Sequence, residues 1–473
     1  MSGEDRRLEL STKLFYGFGS AAYGVKDNGF NYFLLFFYSQ VMGLPPTYVS
    51  LAILVALVVD AISDPIVGHV SDNWHSKWGR RHPFMYFAAF PVAISYYFLW
   101  NPPLDLSPEG LTVYLILISI FIRTMITLYE IPSTSLVSEL TQNYDERTSL
   151  LAYRYFFGWV GGISMAAIAY GWLLQPTDAY PIGQLNRDGY NLYGLVASGI
   201  MLTAILVSAI GTHRHIPNLR KPPPKKAFSL AATFGEMVDT LNNRSFLVLF
   251  GTAIFAAAAA GVTGNLNLYF TTYYWELDPN QLFWLTTAYF WSAVAALILT
   301  PRISKSFGKK KACLTTFGAA LVLAPLPFVL RFAGLFPENH SELLVPTLYV
   351  FNIIEITLII TATTLVSAMV ADVVEESEIK TGRRSEGLFF AVRTFAIKTV
   401  HGFGALAAAT ILAFAEFPEN AVPGEVGQIH LDALAFLYIP ALLISYGIAM
   451  AFVFAYRISR ESHERNLEQL AGE

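Results

Sequence analysis

The chain has 473 residues, of which 54% are hydrophobic and only 14% charged, and its mean hydropathy is +0.46. That balance excludes an ordinary soluble domain and implies a polytopic membrane protein. The net charge of -4 says little about partners and gives no basic surface to suggest nucleic acid, while the single Cys313 excludes an intrachain disulfide and a cysteine-built metal site.

The start, MSGEDRRLELSTKLF, is charged and has no short apolar core with a cleavage site, so no signal peptide is expected and the first helix would serve as the insertion signal. Windows of about 20 mostly apolar residues, the length that spans a bilayer, begin near residues 14, 48, 83, 111, 149, 190, 245, 281, 312, 343, 387 and 431. Twelve membrane helices are therefore predicted. With both termini inside, all of the 31 Lys and Arg except Arg187, Arg331 and five within helices fall on the inner side, as the positive-inside rule requires. Localisation in the cell (inner or plasma) membrane with cytoplasmic termini is the expectation.

The second predicted helix reads VVDAISDPIVG, placing Asp60 and Asp64 four residues apart and so on one face. Each costs about 2.5–3.5 kcal/mol at a helix centre. Lys26 and Asp27 lie in helix 1, Arg123 and Glu130 in helix 4, Arg154 in helix 5, Glu355 in helix 10, and Arg393 and Lys398 in helix 11. Exposing all of these to lipid would cost about 25–35 kcal/mol, more than a typical folding stability, so they must line a polar interior. Buried ion pairs holding helices together are the structural alternative, but desolvation makes such pairs poor stabilisers. Oxygens of Asp60, Ser63, Asp64 and Thr127 suit a hard monovalent cation. Alternatively, one of two repelling carboxylates would hold a proton, which leaves Na⁺ and H⁺ both open.

Between helices 6 and 7 the stretch HRHIPNLRKPPPKKAF carries three consecutive prolines and divides the chain. The expected organisation is an N-terminal six-helix bundle over 1–213, a cytoplasmic linker over 214–243, a C-terminal bundle over 244–457 and a tail over 458–473. The halves repeat one another. Trp78-Gly79-Arg80-Arg81 matches Phe307-Gly308-Lys309-Lys310, and Ser135-Leu136-Val137-Ser138 matches Thr364-Leu365-Val366-Ser367, both at an offset of 229; LAYRYF at Leu151 matches FAVRTF at Phe390 at 239. Two parallel six-helix halves with a midplane site between them are the major facilitator architecture, so the fold class is an all-α membrane protein of twelve helices in two pseudo-symmetric bundles.

STKLFYGFG, the Lys26-Asp27 pair, VVDAISDPIVG, KWGRRHP, YEIPSTSLV, AYRYFF, MVADVVEESEIKTGRRSE and FAIKTVHGFG follow one another over nearly the whole chain. In this order they resemble the glycoside-pentoside-hexuronide:cation symporters, the family of melibiose permease. The resemblance implies a cation site of Asp60, Ser63, Asp64 and Thr127, and sugar-binding or sugar-orienting positions at Lys26, Asp27, Glu130, Arg154, Thr394 and Lys398. It also shows departures. Ser63 stands where the family has an Asn-type ligand, Glu130 replaces Asp, and Thr134 and Thr363 occupy positions of sugar-facing Trp residues, which argues against melibiose itself. Arg123 and Arg393 add positive charge, and arginine suits carboxylate, sulfate or phosphate. An anionic or amphiphilic solute such as a uronide is expected, unless Arg393 merely pairs with Glu355.

The reading is a cation-coupled secondary symporter for a sugar, glycoside or uronide, with substrate contacts at Lys26, Asp27, Arg123, Glu130, Thr134, Arg154, Arg393, Thr394 and Lys398. The alternative is a cation-coupled transporter of lysophospholipid or another amphiphile. An enzyme is not expected, because no nucleophile-base motif or metal-ligand cluster stands out. No cofactor beyond Na⁺ or H⁺ is implied, and the expected partners are a small-molecule substrate and the bilayer, with the chain a monomer. On the inner face Asp72, Arg80, Arg81, Glu139, Arg147, Asp372, Glu375, Glu378, Arg383 and Arg384 are expected to form ion pairs that close a cytoplasmic gate.

Overall fold

The computed structural model describes residues 8–141, 144–219, 243–381 and 386–456, without the side chains of residues 144–145, 148, 218, 371, 374–378, 380–381, 386–396 and 398–399. Among the described residues the chain is helical and has no strand. Ten helices are long and apolar enough to cross a membrane. They are α2 (Pro46–Asp72), α3 (His82–Trp100), α4 (Pro108–Leu140), α5 (residues 144–173), α6 (Arg187–His213), α7 (Arg244–Tyr274), α8 (Pro279–Phe307), α9 (Lys309–Phe332), α10 (Leu344–Thr381) and α12 (Gln428–Ala455).

The other two predicted spans are helical but less regular. Residues 10–41 form α1, whose helical turns are interrupted by π-type turns at Gly29–Phe33 and Phe37–Val41, and Glu386–Phe414 forms α11, with an apolar end over Val400–Phe414. Local chemistry sets several starts. Ser107, Asn186 and Asn243 each accept a bond from a first-turn amide, and Pro46 and Pro108 open their helices, where a missing N–H costs nothing.

Among the described residues, those up to 219, with 278–283, form one compact unit, and those from 243 to 277 and from 284 to 456 form a second. Within the first, α1 packs on α5 and α6, α2 on α4, and α3 on α4 and α6; within the second, α7 packs on α11 and α12, and α9 on α10 and α12. Hydrogen bonds tie α8 to α10, such as Thr287 Oγ1 to Tyr349 OH at 2.9 Å and Thr300 Oγ1 to Thr361 Oγ1 at 3.1 Å. The sequence repeat is thus a structural repeat. Gly79 and Gly308, aligned by that repeat, both adopt positive φ, +72° and +75°, a conformation that side chains with a Cβ rarely take.

The closest helix crossings have no room for side chains. A Cβ on Gly24 of α1 would fall 1.8 Å from the carbonyl oxygen of Gly158 on α5, and Gly261 of α7 meets Gly404 of α11 in the same manner, a Cβ on Gly404 lying 2.7 Å from the Gly261 Cα. Backbone contact of this kind is how helices associate where no hydrophobic effect separates them from lipid. Gly24→Ala should therefore lower the melting temperature of the purified protein, by overpacking worth about 1–3 kcal/mol. Gly199→Ala, at an exposed position of α6 with nothing within 4 Å, should be neutral or stabilising.

Candidate cation and substrate site

The acidic pair sits where α2 and α4 pack. Asp60 is buried, at 2% exposure, and Asp64 lies one turn on, followed at once by Pro65. A proline has no N–H, so the carbonyl of Ala61 loses its helical donor beside the two carboxylates. The same device recurs on α4, where Pro132 deprives the carbonyl of Leu128, next to Thr127, of its donor.

Thr127 projects from α4 between the carboxylates. Its Oγ1 is 2.9 Å from Asp60 Oδ1 and 3.0 Å from Asp64 Oδ1. One hydroxyl has one proton and can donate to only one of them. The second oxygen-to-oxygen contact becomes favourable when a proton sits on the other carboxyl or when a cation bridges the group, which is the chemistry of a monovalent cation site. Ser63 Oγ donates to the backbone carbonyl of Asp60 at 3.0 Å, so its proton is used within α2 while its lone pairs remain.

Arg123, read from the sequence as a substrate-facing charge, is placed on the acidic pair instead. Its Nη1 is 3.4 Å from Asp60 Oδ2, both side chains being 5% exposed or less, and its guanidinium lies 4.5 Å from the ring centroid of Phe30 on α1. The four-residue step from Arg123 to Thr127 puts both on one face of α4, so α4 engages both oxygens of Asp60. Phe30 was not singled out in the sequence. Its spacing from Lys26 and Asp27 was the available signal, since i+3 and i+4 share a helix face.

On α1, Lys26 is buried at 2% exposure and pairs with Asp27 at 2.7 Å, and its ammonium lies 4.5 Å from the Tyr23 ring centroid. Asp27 is also within electrostatic reach of Arg123, and Tyr23 of Asp27, Asp60 and Glu130. Arg154 of α5 donates from Nη1 to Ser133 Oγ of α4 at 2.8 Å and feels the charge of Glu130. Thr134 Oγ1 donates to the Glu130 carbonyl at 2.8 Å. The interior of the first unit thus brings Lys26, Asp27, Asp60, Asp64, Arg123, Thr127, Glu130 and Arg154 into one polar region.

In the second unit Glu355 of α10 is near Tyr438 and Tyr446 of α12. Arg393, Thr394 and Lys398 fall on α11 and Glu375 and Glu378 on α10, but their side chains lie outside the described residues, as do Arg383 and Arg384 entirely.

Of the residues expected at the gate, Asp72, Arg80, Arg81, Glu139 and Asp372 form ion pairs, each within its own unit. Glu139 Oε1 accepts from Arg81 Nε at 2.8 Å and from Arg80 at Nη2 (2.8 Å) and Nε (3.0 Å), while Arg81 also pairs with Asp72 and donates to Ser71 Oγ at 2.8 Å. Lys309 pairs with Asp372 at 2.5 Å. Arg147 Nε donates to the carbonyl of Thr141. The histidines of HRH, read as part of a basic loop, join a structured cluster: His213 Nδ1 is 2.9 Å from Tyr86 OH, and His215 Nε2 is 3.0 Å from Thr12 Oγ1. Arg214 beside Glu9 holds that carboxyl below the usual carboxylate range, and burial, with the Arg214 charge, pushes His215 down.

A family model described as "MFS/sugar transport protein" matches residues 15–460. A putative glycoside/cation symporter of Escherichia coli, YagG, is 24% identical over 92% of this chain and 90% of its own length. The sodium-dependent lysophosphatidylcholine symporter 1 of Gallus gallus is 25% identical over 98% and 89%. Among solved structures the D-xylose-proton symporter superposes with a TM-score of 0.65 at 13% identity, covering 96% of this chain and 98% of the other, which supports the fold.

Proposed function

The chain belongs to the MFS/sugar transport protein family, and we propose that it works there as a symporter that couples entry of a monovalent cation to uptake of a sugar, glycoside or uronide across the plasma membrane. The observation that carries this reading is Thr127 bridging Asp60 and Asp64 from a neighbouring helix. Two carboxylates against one guanidinium, Arg123, and one hydroxyl proton leave the cluster one positive charge short, and a driving ion supplies it.

The proposed substrate contacts are Lys26, Asp27, Glu130, Thr134 and Arg154, and from the sequence also Arg393, Thr394 and Lys398. Sugars offer hydroxyls that accept from lysine and arginine and donate to carboxylates, so a mixed set of charges suits them. In this set Lys26, Arg154, Arg393 and Lys398 outnumber Asp27 and Glu130, which favours a solute with an acidic group. Cation binding at Asp60 and Asp64 removes local repulsion and favours the substrate-competent arrangement; by linkage, substrate tightens the cation by the same factor. The proposed mechanism is alternating access, with the pairs around Glu139 and Asp372 as cytoplasmic gate contacts and both termini cytoplasmic.

Counterflow in proteoliposomes tests the assignment with three solute classes: neutral glycosides, uronates and lysophospholipids. Exchange of a glycoside or uronate is the expected result, with uronates preferred. Exchange confined to lysophospholipids would transfer the assignment to the second reading, which similarity to the Gallus gallus symporter favours. Absence of exchange in every class would overturn symport.

A further inference from the structure

We propose that Arg123 is a resident counter-ion of the acidic pair and that it excludes sodium from this site, an inference that rests on the symporter reading. Three observations carry it. The Arg123 guanidinium is 3.4 Å from Asp60 Oδ2 while Thr127 takes Asp60 Oδ1, so both oxygens of the more buried acid are engaged from α4. The pair is sealed from water, at 5% and 3% side-chain exposure, where opposite charges attract and like charges repel far more strongly than in solvent. Phe30, itself 1% exposed, covers the guanidinium at 4.5 Å, a cation–π contact that holds the charge in place.

The donor set left for sodium is poor. A sodium ion needs several oxygens converging with lone pairs toward it, as hard cations do. Here the Thr127 proton points into the carboxylates, one oxygen of Asp60 is taken by Arg123, and a fixed positive charge stands there. Arg123 already neutralises Asp60, so a sodium ion would have to settle on Asp64 beside a fixed like charge. Around the pair, Tyr23 of α1 is within electrostatic reach of Asp60, Asp27 and Glu130, and Asp27 is within reach of Lys26 and Arg123.

The test is thermal unfolding of the purified full-length protein in sodium chloride against choline chloride at equal ionic strength. Wild type is expected to melt at the same temperature in both. Arg123→Gln is expected to gain a saturable sodium-dependent stabilisation, its apparent sodium affinity rising by about tenfold or more as the like charge is removed, and Arg123→Lys to remain insensitive. A saturable sodium shift in wild type overturns the exclusion and leaves symport standing. So does Arg123→Gln that folds yet stays insensitive, since Arg123 would then not be what keeps sodium out. Should Arg123→Gln fail to fold, calorimetric titration of wild type with sodium chloride decides: no heat of binding is expected, and a saturable heat overturns the proposal. A counterflow screen negative for every solute class overturns the symporter reading whatever sodium does, so the two failures are distinguishable.

Discussion

Asp60→Asn is expected to abolish accumulation of solute against its gradient while leaving the protein folded. The asparagine oxygen can still accept from Thr127 at the position now 2.9 Å away, so the α2–α4 contact persists. What disappears is the negative charge. With one carboxylate left, Asp64, the site no longer needs an added positive charge to relieve repulsion, and a cation gradient has no charge to work through. Downhill exchange of solute requires only binding and alternating access, so counterflow should survive at reduced rate. Some loss of stability is expected as well, because Arg123 keeps a buried charge but loses the carboxylate 3.4 Å away. The measurement is concentrative uptake and counterflow on the same proteoliposomes. Uptake against a gradient by Asp60→Asn would refute the role assigned to this residue.

Glu139→Ala should be the most damaging substitution for stability. The carboxylate of Glu139 is 1% exposed and is the shared acceptor of Arg80 and Arg81. Removing one partner of a buried pair leaves charge without compensation, at a cost of about 3–5 kcal/mol. Arg81 retains Asp72 and Ser71, but Arg80, 12% exposed, loses the carboxylate that holds it. Glu139→Gln keeps the shape and one acceptor oxygen and should recover part of the loss. Unfolding midpoints in detergent measure both. If the network also steadies the closed cytoplasmic side, Glu139→Gln should raise accessibility from that side at a temperature where the protein is fully folded. A melting temperature unchanged in Glu139→Ala would show that these arginines are satisfied by water.

Several of these features were legible without a fold. The acids at positions 60 and 64 declare themselves by cost, since a four-residue spacing puts both on one face of a helix that must otherwise be apolar. The twelve spans, the duplication and the inward bias of Lys and Arg follow from hydropathy, repetition and charge counting. The glycines of the WGRR and FGKK segments, matched in the sequence only as a repeat, both have positive φ. The partners of Arg123 were not legible. From the sequence it lies seven residues before Glu130 and reads as another substrate charge. Only the approach of α4 to α2, and of α1 to α4, sets its guanidinium on Asp60 and under Phe30.

The division has a physical cause. Hydrophobicity, helical periodicity and the expense of a charge in lipid are properties of residues and of single helices, and these determined the membrane class, the count of spans, the two halves and the residues that must face a polar interior. Which charge meets which depends on rotation and depth of one helix against another, and those are set by contacts between residues far apart in the chain. Gly24 against Gly158 fixes how closely α1 meets α5, and Thr127 between Asp60 and Asp64 fixes α4 against α2. Tertiary structure alone decided that the acidic pair has a built-in arginine beside it.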